Sequence, residues 1–270
     1  MKLFHRKYGN SGPPLIIVHG LYGASDNWVS IARGLEDKYE VYIIDQRNHG
    51  ASPKSPEHNY EVMSEDLMEF MDEQHLEKAI LVGHSMGGKT IMFFAEKYPE
   101  RVASLIVVDI APIPYHDLAL TSHIAGNHAK MIDALLDLDL ETLESREEAS
   151  QKLATKIGSE RIRMFLLKNL TRDENKHFTW KINLPVLKDN LHTIMDGLDI
   201  DTIRSKGGII GFPVLFISGE NSDYIQAETH ATIKEVFPTA EIVSIRSSGH
   251  WVHAEQPMLL IKTIKYFLEN

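Results

Sequence analysis

Ile80-Leu81-Val82-Gly83-His84-Ser85-Met86-Gly87-Gly88-Lys89-Thr90 constrains this chain more than any other stretch. An apolar, β-branched run leads into Gly-x-Ser-x-Gly, and a segment of helical character follows. That order describes a serine on a sharp strand-to-helix turn. Small neighbours let the backbone take the strained turn, and the hydroxyl stands clear of the sheet. The Met86 N–H then points toward any oxygen that turns negative when Ser85 attacks a carbonyl, and the helix N-terminus adds a positive end. The five-residue match alone arises by chance in roughly one chain in ten of this length, so the remaining sequence has to decide its meaning.

A second pattern shares these letters. Gly83-x-x-x-x-Gly88-Lys89-Thr90 fits a phosphate-cradling loop. Leu105-Ile106-Val107-Val108-Asp109 then offers an apolar strand ending in an Asp of the kind that holds magnesium in nucleotide hydrolases.

The 270 residues suit one large domain or a core with an inserted subdomain. The net charge of −10 argues against a general binder of nucleic acid or of anionic membranes. With no cysteine, disulfides, thiolate zinc sites and Cys nucleophiles are excluded. The first residues, Met1-Lys2-Leu3-Phe4-His5-Arg6-Lys7-Tyr8, carry no apolar signal segment, and no run approaches the length of a membrane span, so the cytoplasm is the expected location.

In chain order, residues 2–8 read as an edge strand. Leu15-Ile16-Ile17-Val18 reads as a buried parallel strand ending in His19-Gly20-Leu21-Tyr22-Gly23, whose glycines suit a tight loop with accessible N–H groups. Beside the Ser85 turn, the Leu21 N–H is the expected second oxyanion donor. A helix carries Trp28, Ile31, Ala32 and Leu35. The next strand, 41–45, ends in the polar loop Gln46-Arg47-Asn48-His49-Gly50-Ala51-Ser52-Pro53, in which Asp45, Arg47 and His49 are expected to be structural. An amphipathic helix over 60–75 buries Val62, Leu67, Phe70 and Met71. Strands at 79–83 and 104–108 flank a helix that ends at Pro99.

The alternation predicts a doubly wound, mostly parallel sheet of about eight strands, with its site at the strands' C-terminal ends. Ile110-Ala111-Pro112-Ile113-Pro114 breaks it. From about 115 to 206 the pattern is helical without convincing strands, and its apolar residues are expected to line a substrate pocket in part. The expected division is a core of 1–111 and 207–270 with a helical cap of 112–206. Strands at 213–218 and 241–245, a helix near 225–236 and a terminal helix at 255–268 complete the core.

A serine hydroxyl needs an imidazole to take its proton and a carboxylate to hold that imidazole. His250, after Gly249 at the exit of the last strand, is the expected base, with His253 as second choice. Asp109 and Asp223 both fall between Ser85 and His250 in chain order, and spacing does not separate them. This constellation accounts for both glycine-rich exits and for Gly249-His250, which the nucleotide pattern leaves unexplained. It leaves Lys89 unexplained, since a cation in the first helical turn opposes the helix dipole.

His19-Gly20, Asp45-Gln46-Arg47-Asn48-His49-Gly50-Ala51-Ser52, Gly83-His84-Ser85-Met86-Gly87-Gly88 and Ser248-Gly249-His250 resemble the α/β-hydrolase superfamily across nearly the whole chain. Asp-x-Arg-Asn-His-Gly, His-Ser-Met-Gly-Gly-Lys and Asp109-Ile110-Ala111-Pro112 resemble its YbfF-type esterases, although many superfamily members have Gly at the position of Asn48. The resemblance implies Ser85 as nucleophile, His250 as base, and the Leu21 and Met86 N–H groups as oxyanion donors. It places the cap after the sixth strand. In the commoner arrangement the acid falls at Ser222, one residue before Asp223. In the YbfF-like group it falls at the sixth-strand exit, which is Asp109.

The implied activity is hydrolysis of carboxylic ester or acyl thioester bonds in small or acyl-chain substrates through an acyl-enzyme, with no cofactor, no metal and no nucleic-acid partner; the apolar cap suggests short-to-medium acyl groups. Acyl-CoA is a candidate substrate, its phosphate met by Lys89 or a cap Lys or Arg. Carbon–carbon bond hydrolysis, perhydrolysis and a ligand receptor on the same fold are the alternatives. Ser85 disfavours the dehalogenase and epoxide hydrolase chemistries that use Asp at the turn.

Overall fold

The apolar runs read from the sequence pair side by side in one sheet. The computed structural model describes residues 1–116 and 122–270, and the helical pattern expected over 117–121 lies outside them. The strands are β1 (His5–Tyr8), β2 (Pro14–Val18), β3 (Glu40–Ile44), β4 (Ala79–His84) and β5 (Val102–Val108), then β6 (Leu170–Arg172) and β7 (Phe178–Trp180), and finally β8 (Val214–Gly219) and β9 (Ala240–Ile245). Among the described residues the main sheet has seven strands rather than about eight, in the order β1-β3-β2-β4-β5-β8-β9. Only β1 runs antiparallel, against β3. β6 and β7 pair separately as a hairpin.

Strands buried on both faces read as continuous apolar runs. Leu15 and Ile17 of β2 pack with Trp28, Ile31 and Leu35 of the segment containing α1 (Val29–Leu35). Ile16 and Val18, on the other face, join the core formed with α2 (Tyr60–Glu73) and α3 (Met86–Lys97). α2 starts where the Asn59 side chain accepts from the Val62 N–H at 2.9 Å. That start turns Met63 inward and leaves Val62 half-buried, against expectation.

Between β5 and β8 lie α4 (Ser122–Leu136), α5 (Arg146–Leu153), α6 (Glu160–Leu166), α7 (Leu184–Asp189), α8 (Leu191–Met195) and α9 (Ile200–Ser205). The segment therefore follows the strand that ends before Asp109, fifth in this chain's own order, and contains the β6–β7 hairpin that the helical pattern did not reveal. These strands have three residues each, too short for a periodicity to register. α10 (His230–Val236), α11 (Val252–Glu255) and α12 (Pro257–Glu269) close the chain. The expected terminal helix is divided at Gln256, ahead of Pro257.

The sheet positions the site through its order. β3 and β4 lie on opposite sides of β2, so the chain leaving β2 and the chain leaving β4 diverge next to each other. A crevice opens at such a switch point. It holds His19-Gly20-Leu21 from β2 and Ser85 from β4.

The inserted segment leaves and rejoins the core through two chains that run side by side. Tyr115 N–H donates to Met195 O at 2.7 Å, and Leu198 N–H to Pro112 O at 2.9 Å. Lys89 sits beneath this neck, 1% exposed. Its ammonium donates to Ile113 O at 2.7 Å on the outgoing chain and to Asp196 O on the returning one, 4.8 Å from the Tyr115 ring centre. The side chain whose charge would oppose the helix dipole is thus held by two carbonyls and an aromatic face.

Lys89→Met keeps the length of the side chain and leaves both carbonyls without this donor. Each buried unpaired group costs about 1–3 kcal/mol, so urea unfolding is expected to show a loss of about 2 kcal/mol or more. Burial lowers the Lys89 pKa to about 7 from an ordinary value of 10.5. Between those values the unfolded chain binds the extra proton, so wild-type stability rises with pH there; the contribution is complete above the unfolded value and lost by about pH 7. Lys89→Met is expected to lack that rise in unfolding measured from pH 7 to 9.

Candidate active site

Ser85 follows β4 with φ 53° and ψ −123°, a positive-φ backbone that a side-chain-bearing residue takes only under strain. Glycines make the turn possible by close approach. A Cβ on Gly83 would lie 2.4 Å from Gly87 O, and one on Gly87 would lie 2.3 Å from Val18 O at the end of β2. The first turn of α3 therefore packs directly against the neighbouring strand and fixes Ser85 at the crevice.

His250 reaches Ser85 from the loop after β9. With its proton on Nδ1, the imidazole donates to Asp109 Oδ2 at 2.8 Å, and its Nε2 accepts from Ser85 Oγ at 3.1 Å. Asp109 follows β5 with φ 55° and is fully buried. Its Oδ1 accepts from Gly219 N–H at 2.8 Å, and its Oδ2 also accepts from the Ser222 hydroxyl. Burial raises the Asp109 pKa, opposed by the Ser222 and Gly219 hydrogen bonds. Burial lowers that of His250, which favours the neutral ring a base needs.

The competing residues lie elsewhere. The Asp223 carboxylate is exposed and 3.6 Å from His123 Nε2. His253 stacks on Trp28 with ring centres 4.5 Å apart. The residues of the nucleotide pattern are also engaged otherwise. Lys89 is buried in the neck, where it does not meet a phosphate. Thr90 Oγ1 lies 2.9 Å from Gln46 Oε1, and Asp109 faces His250. No group of three or more His, Cys, Asp or Glu is arranged to hold a metal among the described residues.

Leu21 and Met86 both line the small space beside Ser85, with Tyr60, Ile110, Tyr115, Ile194 and Met195 among its other walls. The polar loop after β3 acts as a brace. Asp45 accepts from the N–H groups of Ser25 at 2.6 Å and Ala51 at 2.8 Å. Arg47 forms a bidentate pair with Asp66, at 2.6 and 2.9 Å. His49 Nδ1 lies 3.0 Å from Arg47 O. Asn48, at φ 66°, accepts on its side chain from Asn183 Nδ2 at 3.0 Å and so joins the core to the inserted segment.

Four residues carry more of the site than the sequence suggested. His84 Nε2 donates to His250 O at 2.8 Å and clasps the imidazole's own loop. Tyr224 stacks on His250, with ring centres 3.7 Å apart and planes 12° from parallel. His128, on α4, lies 2.8 Å through Nε2 from the Tyr224 hydroxyl. Ser222, at the position of the commoner acid, donates to the Asp109 carboxylate instead. Ser222 had a spacing signal from Gly219 and His84 stood in the Gly-His-Ser motif; His128 and Tyr224 depend on contacts between distant segments.

A sequence model of the α/β-hydrolase fold matches residues 13–257. The chain belongs to the α/β-hydrolase family. Esterase YbfF of Escherichia coli is 32% identical over 97% of this α/β-hydrolase and 95% of its own length. The sn-1-specific diacylglycerol lipase ABHD11 of Mus musculus is 35% identical over 95% and 81%. A solved marine microorganism esterase superposes with a TM-score of 0.92 at 46% identity, covering 98% of this chain and 99% of that one. These relatives support a hydrolase. No helix among the described residues is long and apolar enough to cross a membrane.

Ser222→Ala removes a donor from the ionised Asp109 carboxylate. Its pKa is expected to move upward by roughly one pH unit, read from the carboxyl carbon resonance across a pH titration. An unchanged titration contradicts the hydrogen-bond account.

Proposed function

We propose that this α/β-hydrolase is a serine hydrolase that cleaves carboxylic esters or acyl thioesters of small-molecule substrates through an acyl-enzyme. The observation that carries the reading is the single imidazole, His250, lying between Ser85 Oγ and the buried Asp109 carboxylate. The esterase and lipase names of the relatives favour an ester as the bond attacked.

Ser85 Oγ bonds to the acyl carbon while its proton passes to His250 Nε2. The carbonyl oxygen becomes negative and is met by the Leu21 and Met86 N–H groups. The tetrahedral intermediate collapses, the bond to the leaving alcohol or thiol breaks, and the leaving group takes the proton from His250. Water then gives a proton to the same nitrogen and attacks the acyl carbon. The acid departs and Ser85 regains its hydrogen. Asp109 holds the Nδ1–H tautomer and stabilises the imidazolium without itself taking the proton. In this reading 1–111 and 207–270 are the catalytic core, and 112–206 is the cap that shapes the substrate space.

Ser85→Ala is expected to lower kcat on a p-nitrophenyl ester by at least about 1000-fold. Asp109→Asn is expected to cost about 10⁴-fold, and Asp223→Asn less than about threefold. Full activity in Ser85→Ala contradicts the assignment; the larger loss in Asp223→Asn moves the acid there. In wild type, kcat/KM is expected to fall toward acid pH as the hydrogen-bonded Asp109–His250 pair takes up a proton, the buried carboxyl's raised pKa favouring that uptake, and to level off at higher pH. Activity independent of pH between 5 and 9 contradicts that role.

A further inference from the structure

Two spaces of very different size lie beside the Ser85–His250 pair, the smaller walled by Ser85 and the larger by His250. The inner one has room for ≈ 10 Å³, about one water or methyl group. Ser85, Leu21 and Met86 lie on its wall. The outer one is a cavity of ≈ 400 Å³ bordered by His250, within the range of ordinary ligand pockets. His128 and Tyr224 line both.

Their chemistry assigns them, on the serine hydrolase reading above. A tetrahedral intermediate has four substituents on carbon. One is Ser85 Oγ, and one is the oxyanion at the Leu21 and Met86 N–H groups. His250 must protonate the leaving group, so that group lies on the imidazole side, where the large cavity opens. The acyl chain takes what remains, the small space beside the oxyanion donors.

We propose that this enzyme acts on esters of acetyl-sized acids with bulky alcohols, the acyl group in the inner space and the alcohol in the outer cavity. The inner walls are built to stay where they are. Tyr60, Tyr115, Ile110, Ile194 and Met195 are all buried, and the Tyr60 hydroxyl donates to Ile194 O. The Tyr115 hydroxyl accepts from Ala111 N–H at 2.8 Å and donates to Tyr224 O at 2.6 Å, and its N–H holds Met195 O. A longer acyl chain has to break this set of bonds. The outer cavity instead offers an apolar floor at Ile124, Met131 and Ile162 with Asn127, Lys130 and Asn221 beside it, which suits an alcohol with both apolar and polar parts.

Two ester series read the two spaces separately. With a fixed p-nitrophenol leaving group, kcat/KM is expected to fall roughly tenfold or more from acetate to hexanoate. With a fixed acetyl group, kcat/KM is expected to hold or rise from ethyl to phenethyl and decyl alcohols. Met195→Ala enlarges the inner space and is expected to raise the hexanoate-to-acetate ratio roughly tenfold, and the milder Ile194→Val by a smaller factor in the same direction. Wild-type hexanoate cleaved as fast as acetate, a loss with larger alcohols, or ratios in both variants equal to wild type overturns the assignment. Covalent labelling of Ser85 by a fluorophosphonate, followed by intact mass in the same samples, keeps the two readings apart. A labelled enzyme without the acetyl preference overturns the subsite assignment alone, whereas an unlabelled one overturns the serine hydrolase reading with it.

Discussion

Asp109 is a carboxylate with no exposed surface, and a buried carboxylate persists only where donors replace water. Three do so here: the Gly219 N–H from β8, the Ser222 hydroxyl from the loop after it, and His250 Nδ1–H from the loop after β9. One side chain at the end of β5 thus ties together the exits of the next two strands in the sheet. The imidazole held in this way has its second nitrogen left for Ser85. His84, next to the serine, closes the circuit by donating to His250 O. The geometry beside the strained turn is set by these few bonds and by the switch in strand order that opens the crevice.

The inserted segment is fixed by a different device. Its outgoing and returning chains bond to each other, and Lys89 bonds to both from the first turn of α3. The same lysine follows Ser85 by one helical turn, so the neck of the inserted segment and Ser85 are placed by one stretch of backbone. Ile194 and Met195, on the returning chain, are also walls of the space beside Ser85. The position of the inserted segment and the size of the inner space are therefore set together.

What the sequence disclosed follows from locality. The Ser85 turn was legible because strand, glycines and helix are adjacent in the chain, and His250 because Gly249 and a strand exit precede it. The roles of Asp45, Arg47 and His49 as a brace were legible from the turn residues around them. Asp109 and Asp223 were not separable, because the choice depends on which carboxylate faces a loop some 140 residues later in one case and 27 in the other, and spacing carries no direction. Lys89 was opaque for the same reason, since both its acceptors lie in the inserted segment. Three-residue strands left no periodic trace of the hairpin. His128 and Tyr224 meet only through the packing of α4 over the core, which no local pattern encodes.

The most direct measurement is the proton spectrum of the His250 Nδ1–H, assigned with ¹⁵N-labelled histidine at neutral pH. The account expects a resonance far downfield of the amides, present in wild type and in Asp223→Asn and lost or shifted strongly upfield in Asp109→Asn. A resonance that survives Asp109→Asn and disappears in Asp223→Asn contradicts the account, because the imidazole is then held by the other carboxylate.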